Sequence, residues 1–257
     1  MATKIPSYTY SGTHSSELKN GYWYIYLKSS GNLTFSYDKK SVAACIVGGG
    51  GGGKAATGGD SGTAGGAGGA VKNLSGLTCA AGTPYEITVG AGGAAGGSSG
   101  GKASSAFGTT ASGGAVGGGA AQNTKGSDGT YAFGDTSLPR YGADGAGGRS
   151  KQNTTAMIGG KDGGGAGATG GGPGYNGANA KAGMANTGAG GGGAGGYYND
   201  EPKGSGGAPA AGGSGIVILC GTEDDFLPVW FNGTQLSEIY YNGEKVETFS
   251  YAGTKLF

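Results

Sequence analysis

The first residues whose types and spacing could do chemistry lie in VAACIVGGGGGGKAATGG, residues 42–59. Gly48, Gly53 and Lys54 satisfy most of the phosphate-loop template G-x-x-x-x-G-K-[ST], and Gly48, Gly50 and Gly53 satisfy the dinucleotide template G-x-G-x-x-G. Two physical requirements fail. Position 55 is alanine, so no hydroxyl is offered to a Mg²⁺ ion. The following AATGGDSGTAGGAGG cannot continue as a helix, because each glycine costs about 1 kcal/mol relative to alanine. Without a helix N-terminus a phosphate finds neither a dipole nor a fan of N–H donors. Any six-glycine run meets any glycine template, so the match implies no nucleotide and no other cofactor.

The remaining chemical candidates are sparse. His14 is the only histidine, and SGTHSSELKNG around it reads as a polar loop with no Ser-His-Asp or Cys-His set. The neighbouring acids Asp200-Glu201 and Glu223-Asp224-Asp225 sit on polar stretches, whereas glycosidases need two carboxylates facing across a cleft. No D-x-[DN]-x-[DN]-G calcium loop is present, and no metal is expected. The three cysteines occur in AACIVG, GLTCAAG and IVILCG. Their odd number and the lack of C-x-x-C spacing oppose zinc and a disulfide framework alike. Beside short apolar runs they read as buried free thiols, which suits synthesis in a reducing compartment. The chain is not expected to be an enzyme.

Aromatic residues are more informative. Tyr131, Phe133, Tyr141, Tyr175, Tyr197 and Tyr198 interrupt a zone otherwise dominated by glycine. They fall in QNTKGSDGTYAFGDTSLPRY (122–141), GYNGANAKAGMANT (174–187) and YYNDEPK (197–203). Tyrosine beside Asn, Ser and Gly is the composition of adaptable recognition loops. The competing reading is that these rings cap the ends of the glycine segments.

The elements that must position such residues follow from composition. Of 257 residues, 67 are glycine and 7 are proline. Together these make about 29%, a level that without a period usually signals low complexity. Sixty of the 67 glycines lie between Gly48 and Gly215, and runs such as Gly48–Gly53 exclude the collagen period. If this zone is ordered, its backbone groups must satisfy one another, because side chains are too few and too small to offset the lost entropy. Glycine runs can form extended helices of three residues per turn, and without Cβ atoms these can pack closely and hydrogen-bond laterally. We expect such a polyglycine II array.

Flanking the zone are strand candidates: Tyr8–Tyr10, Tyr22–Leu27 after the turn pair Asn20-Gly21, Asn32–Ser36 with Leu33 and Phe35 on one face, and the doubly covered run Val42–Val47. Ala70–Cys79, Tyr85–Val89 and Ser104–Phe107 keep β-type residues inside the zone, and Ile216–Leu219 closes it. No segment shows a 3.6-residue apolar pattern, so almost no α-helix is expected. Net charge is +1, distributed as +3 over 1–47, +2 over 48–215 and −4 over 222–257. These offsets select neither nucleic acid nor a membrane surface. MATKIPSYTY lacks the apolar core of a signal peptide, and no run approaches a membrane span.

The last residues carry a ten-residue repeat: WFNGTQLSEI, YYNGEKVETF and SYAGTKLF. Asn232-Gly233 and Asn242-Gly243 are type I′ hairpin signals, and Ala252-Gly253 takes the same place. The spacing predicts a meander with strands near Phe226–Phe231, Thr234–Tyr241, Glu244–Tyr251 and Thr254–Phe257.

Four blocks in order, SGNLTFSYDKKSVAACIVGGGGGG, AVKNLSGLTCAAGTPYEITVGAGGAAGG, SSAFGTTASGGAVGGG and GGSGIVIL, resemble the glycine-rich domain of bacteriophage and prophage tail-fibre-type proteins. The resemblance spans roughly residues 8–220. It implies a β-framework carrying a lattice of polyglycine II helices, with loops between the helices contacting a host receptor. It places the chain in the virion, assembled in the bacterial cytoplasm beside other virion proteins. Its partner would be a host cell-surface protein or glycan, and homo-oligomers are admitted. A similar fold occurs in the ectodomain of an animal receptor kinase family, so the fold alone does not fix function. The tail repeat is similar to short C-terminal modules of phage virion proteins. The expected chain is therefore all-β and irregular. A glycine-rich domain spans 1–221, with framework residues 1–47 and 216–220 around a polyglycine region 48–215, and a small antiparallel meander spans 222–257. An adhesin binding through Tyr131, Phe133, Tyr141, Tyr175, Tyr197 and Tyr198 is the leading expectation. A purely structural decoration or fibre spacer is the alternative.

Overall fold

Strict alternation of apolar residues builds two sheets that face each other. The protein is described by a computed structural model covering residue 2 and residues 4–56, 61–150, 153–171, 176–197 and 205–222, with six short backbone strands beyond. The first twelve strands are β1 (Tyr8–Tyr10), β2 (His14–Lys19), β3 (Tyr22–Leu27), β4 (Gly31–Phe35), β5 (Lys39–Val47), β6 (Val71–Cys79), β7 (Tyr85–Ile87), β8 (Ser104–Ala106), β9 (Thr109–Ala111), β10 (Thr130–Tyr131), β11 (Arg140–Tyr141) and β12 (Ile216–Gly221). Antiparallel pairing gives a five-stranded sheet in the order β2-β3-β12-β5-β6 and a three-stranded sheet in the order β1-β4-β7. Among the described residues the chain forms no α-helix, only a 3₁₀ turn at Ala132–Gly134.

The core between the sheets takes every second residue. Trp23, Ile25 and Leu27 from β3 meet Leu33 and Phe35 from β4, with Val42, Ala44 and Ile46 from β5 and Val217 and Leu219 from β12. The intervening residues Tyr24, Cys45, Val47, Ile216, Ile218 and Cys220 form a second cluster on the opposite face, covered by Ala132, Leu138 and Tyr141. The central strand β12 is thus buried at every position, as a run without polar alternation requires.

Several expectations are corrected here. His14 does not sit in a loop: it opens β2, an exposed edge strand held in register by β3. The pair Asn20-Gly21 closes that hairpin with φ of 54° and 76°, and main-chain bonds to β3 override the polar composition of β2. The strands expected inside the zone at Ala70–Cys79, Tyr85–Val89 and Ser104–Phe107 are present as β6, β7 and β8, and β9, β10 and β11 were not foreseen. The stretch 122–141 contains the hairpin β10–β11. Residues 176–183 are not a free loop. Gly177, Ala180 and Gly183 donate to Ser205, Ala208 and Ala211, and Asn176 and Asn179 accept from the N–H groups of Ser205 and Ala208. Small residues at every third position bond to that neighbour through the backbone, and Asn176 and Asn179 reach the same segment through their side chains.

Between the strands, backbone bonds recur with one period. Gly48, Gly51 and Lys54 donate to Ala70, Ala67 and Ala64; Gly50 and Gly53 donate to Gly213 and Ala210; Gly49 donates to Lys102. Carbonyls of Gly49 and Gly52 accept from Gly114 and Gly117, those of Gly50 and Gly53 from Gly93 and Gly96, and those of Gly51 and Lys54 from Gly191 and Ala194. The direction of bonding changes at each residue and returns at every third. Residues 48–53 are all buried, so this part of the interior is backbone. A Cβ on Gly50 would come closer than 3.0 Å to the Ala189 carbonyl, and one on Gly51 equally close to that of Ala115.

In the C-terminal repeat the described strand pairs flank the Asn-Gly and Ala-Gly positions. Strands β13 (Val229–Phe231) and β14 (Thr234–Leu236), β15 (Tyr240–Tyr241) and β16 (Glu244–Lys245), and β17 (Ser250–Tyr251) and β18 (Thr254–Lys255) make three separate ladders. The stretches 237–239 and 246–249, which would join the expected strands, lie outside the described residues.

The substitution Gly50→Ala tests the backbone interior. One methyl must displace a packed carbonyl, which costs about 1–3 kcal/mol for overpacking, with displaced hydrogen bonds adding about 1 kcal/mol each. The exposed Lys181→Ala serves as control and stays within roughly 0.5 kcal/mol of the parent. Thermal unfolding of the two variants measures the difference, and equal melting temperatures would refute the backbone interior.

Candidate functional site

The direction of the chain sets two ends. Residues 48–54 leave the sheet at Val47, residues 64–70 return to β6, and residues 210–215 return to β12. The Gly48 end is therefore the framework end, and Lys54 marks the far end. Bonds carry this sense across the zone: Gly145 donates to Gly66 and Gly148 to Thr63, which places Arg149 at the far end, and Gly196 donates to Arg149. Tyr197 follows directly.

The six aromatic candidates do not share one surface. Tyr141 is buried in the second cluster against Tyr24 and Cys45, and burial pushes its hydroxyl up to about 12. Phe133 packs against the same cluster from a left-handed backbone, φ 54°, and its N–H donates to Asn73 Oδ1 at 3.2 Å. Tyr131 is half-buried; Arg140 Nη2 donates to its hydroxyl at 2.7 Å, and the guanidinium carbon lies 4.6 Å from the ring centroid. Arg140 also pairs with Asp128. The Asp128 carboxyl is held below its usual range, chiefly by the Lys161 N–H and then by Arg140. Phe133 and Tyr141 hold the β10–β11 hairpin to the framework, and Tyr131 binds Arg140 within the hairpin. Tyr197 alone of the described candidates stands at the far end, half-buried. Tyr175 and Tyr198 lie outside the described residues.

Around Tyr197 the far end is polar. Gln122 Nε2 and Asn123 Nδ2 both donate to Ser150 Oγ at 2.9 Å, Ser150 N–H donates to Asn123 Oδ1, and Arg149 Nε donates to the Thr155 carbonyl. Asn123 is in the left-handed region, φ 58°, so it is a structural clasp as well as an exposed amide. Amide, hydroxyl and guanidinium groups are thus set on an ordered rim.

Two grooves on the framework were missed in sequence. One, of about 430 Å³, runs between β2–β3 and the glycine zone, lined by Ser16, Glu17, Tyr26, Lys28, Tyr141 and Asn186. Tyr26 donates to Glu17 Oε1 at 2.7 Å and stacks on Tyr24 with centroids 6.3 Å apart. Burial, then the Glu17 carboxylate, raises the Tyr26 hydroxyl. The other, of about 500 Å³, lies between β7 and the β8–β9 hairpin, beside Tyr85 and Phe107. Each groove is lined by a single carboxylate, Glu17 in the first and Glu86 in the second. The usable sequence signal for the second was Phe107-Gly108 between two short β-type triplets.

The glycine run after β5 is not an anion cradle. Its N–H groups at Gly48, Gly49, Gly50, Gly51 and Gly53 are committed to carbonyls of neighbouring segments. Among the described residues no group of three or more His, Cys, Asp or Glu side chains could hold a metal ion, and no helix is long and apolar enough to cross a membrane. The chain matches no protein-family model and no curated protein.

The buried thiols set an alkaline limit. Burial raises Cys45 to about 12 and Cys79 to about 11, and Tyr10 and Tyr141 to about 12. Folding favours the neutral forms, so their contribution is complete below the ordinary thiol value of 9.0 and is lost as pH rises through the folded values. Urea midpoints are expected to hold from pH 7 to 8.5 and to fall progressively above about pH 9. Native protein at pH 8 should resist thiol alkylation at all three cysteines until it is unfolded. A flat midpoint to pH 11 would contradict this account.

Proposed function

We propose that this chain is a phage virion protein of tail-fibre type that attaches to a bacterial surface through the far end of a polyglycine II array. The observation that carries the reading is the three-residue recurrence of lateral bonds around residues 48–54. Three residues per turn is the period of the polyproline II family, and it gives each segment neighbours in several directions, which a β-strand does not have. Segments bonded on all sides form a block that holds its end loops at fixed positions. Loops held in this way lose little further entropy when they bind. Tyr197, Gln122, Asn123, Arg149 and Ser150 supply the mixed aromatic and polar chemistry suited to a surface protein or glycan. The tail hairpins and the exposed framework edge at β2 are the surfaces for other virion proteins or for further copies of this chain. The expected place of action is the virion.

A second reading, a decoration or spacer with no receptor, is favoured by one observation: Phe133 and Tyr141 serve the framework, and Tyr131 is committed to Arg140 within the hairpin. Binding of fluorescently labelled protein to a panel of bacterial strains separates the two. Under the adhesin reading at least one strain is bound. The double variant Tyr197→Ser with Tyr198→Ser then loses binding by about tenfold, the loss of roughly 1.4 kcal/mol, while its melting temperature is unchanged. Tyr131→Ser at the framework end keeps binding. If the parent binds no strain, or if the double variant binds as the parent does, the structural reading takes its place.

A further inference from the structure

We propose that the groove between β7 and the β8–β9 hairpin binds a neutral saccharide ring, with Phe107 as its platform. The site lies at the framework end, away from Tyr197, and does not rest on the virion reading.

The starting point is an awkward residue. Phe107 and Gly108 form the two-residue turn joining β8 to β9, since Ala106 pairs with Thr109. Their φ values are 49° and 73°. Such a turn calls for Asn, Asp or Gly at its first position. A bulky aromatic residue in the left-handed region is a true outlier, strained by about 1–3 kcal/mol. The ring only partly recovers this by burial, because it is half-exposed against the core.

What the ring does have is a partner and a cavity. The Tyr85 ring lies 5.4 Å away at an interplanar angle of 43°. The Tyr85 hydroxyl accepts the Ala80 N–H at 2.7 Å, which fixes that ring from behind. The two walls are tied by reciprocal bonds, Thr88 N–H to Ser105 O at 2.8 Å and Ser105 N–H to Thr88 O at 2.9 Å. Between the walls lies a space of about 500 Å³, within the roughly 300–1,000 Å³ of small-molecule sites. The groove is therefore formed before any ligand arrives.

Its chemistry selects the ligand. Two tilted aromatic rings offer an apolar surface for the C–H face of a pyranose. Glu86, Thr88, Ser105 and Thr110 set a carboxylate and three hydroxyls around them for the sugar hydroxyls. No lysine, arginine or histidine lines the groove, so an anionic ligand would meet Glu86 without a counter-charge. A single carboxylate also lacks the facing partner that glycoside hydrolysis requires, so the site is for binding.

Saturation-transfer NMR on the full chain tests this, with the methyl glycosides of glucose, galactose, mannose and N-acetylglucosamine at millimolar concentration. At least one should receive saturation. Phe107→Asn supplies the residue the turn prefers while removing the platform. Its melting temperature should equal or exceed that of the parent, and its affinity should fall about tenfold, as expected for one lost aromatic contact. Glu86→Gln, at an exposed position, should fold normally and weaken binding severalfold. No saturation of any of the four sugars overturns the proposal, as does parental affinity in Phe107→Asn. If Phe107→Asn melts lower than the parent, Glu86→Gln decides: parental affinity there assigns Phe107 to core packing and also overturns the site.

Discussion

Everything in this chain depends on one backbone arrangement: an N–H of one extended segment meeting the carbonyl of another, with no Cβ between them. Around Gly50 the N–H reaches Gly213 and the carbonyl receives Gly93, while a methyl group on the same residue would strike the Ala189 carbonyl. Energetically this is a narrow margin. Ordering one backbone residue costs about 1–2 kcal/mol, and one net hydrogen bond returns about 0.5–1.5 kcal/mol. A segment satisfied on one side only would not hold. Residues 48–54 hold because the N–H groups of Gly48, Gly49, Gly50, Gly51, Gly53 and Lys54 and the carbonyls from Gly49 to Lys54 are used, on several sides at once, and because leaving a buried group of this kind unpaired would cost more than the bond itself is worth.

That margin explains why the framework is built as it is. Burying a large apolar side chain stabilises by about 1.5–3 kcal/mol, and Trp23, Phe35, Leu33, Ile25, Leu27 and Leu219 are fully buried in one cluster. The sandwich thus supplies stability that the glycine zone lacks. It also supplies register. Strands β5, β6 and β12 are neighbours in one sheet, and the segments that continue from them, beginning at Gly48, Ala70 and Gly215, start side by side. The chain does not need to find these neighbours by diffusion of loose glycine runs, because the sheet has already aligned three of them.

The same division decides what could be read from the residues alone. The strands of the framework were legible, though not their assembly into two facing sheets: the expected strand Tyr22–Leu27 is β3, where Trp23, Ile25 and Leu27 alternate with Tyr24 and Tyr26. The turn at Asn20-Gly21 was legible for the reason that positive φ favours those residues. Strand β2 was not, since an exposed edge carries no apolar pattern and exists only because β3 presents unpaired main-chain groups to it. The neighbours of each glycine segment were not legible either. Glycine carries no register information, and only scattered marks, such as Gly177, Ala180 and Gly183 three apart, show which side faces inward. Asn176 and Asn179 in the same stretch made it resemble a loop, although their side chains complete the bonding of Ser205 and Ala208. Among the candidate residues, composition picked out the aromatic ones but could not say which end each occupied. Phe107 escaped notice because its meaning lies in a φ value.

Separating the two ends has a functional consequence that follows from the bonding. At the far end, Tyr197 and Gln122 are half-buried side chains outside both apolar clusters, while the backbone beside them bonds laterally through Gly196 and Asn123. At the framework end, Tyr141 and Phe133 pack on the face of the central sheet, so changing them disturbs the cluster that contains Cys45 and Ile218. A surface that must be altered without loss of folding belongs at the first place, and a surface of fixed shape belongs at the second. The groove beside Phe107 is of the second kind: its walls are joined by the Thr88–Ser105 bonds, and Ala106 and Ala111 of the same hairpin are part of the core. Geometry held that firmly suits one ligand of constant shape, whereas the far end suits whatever partner its loops can be changed to fit.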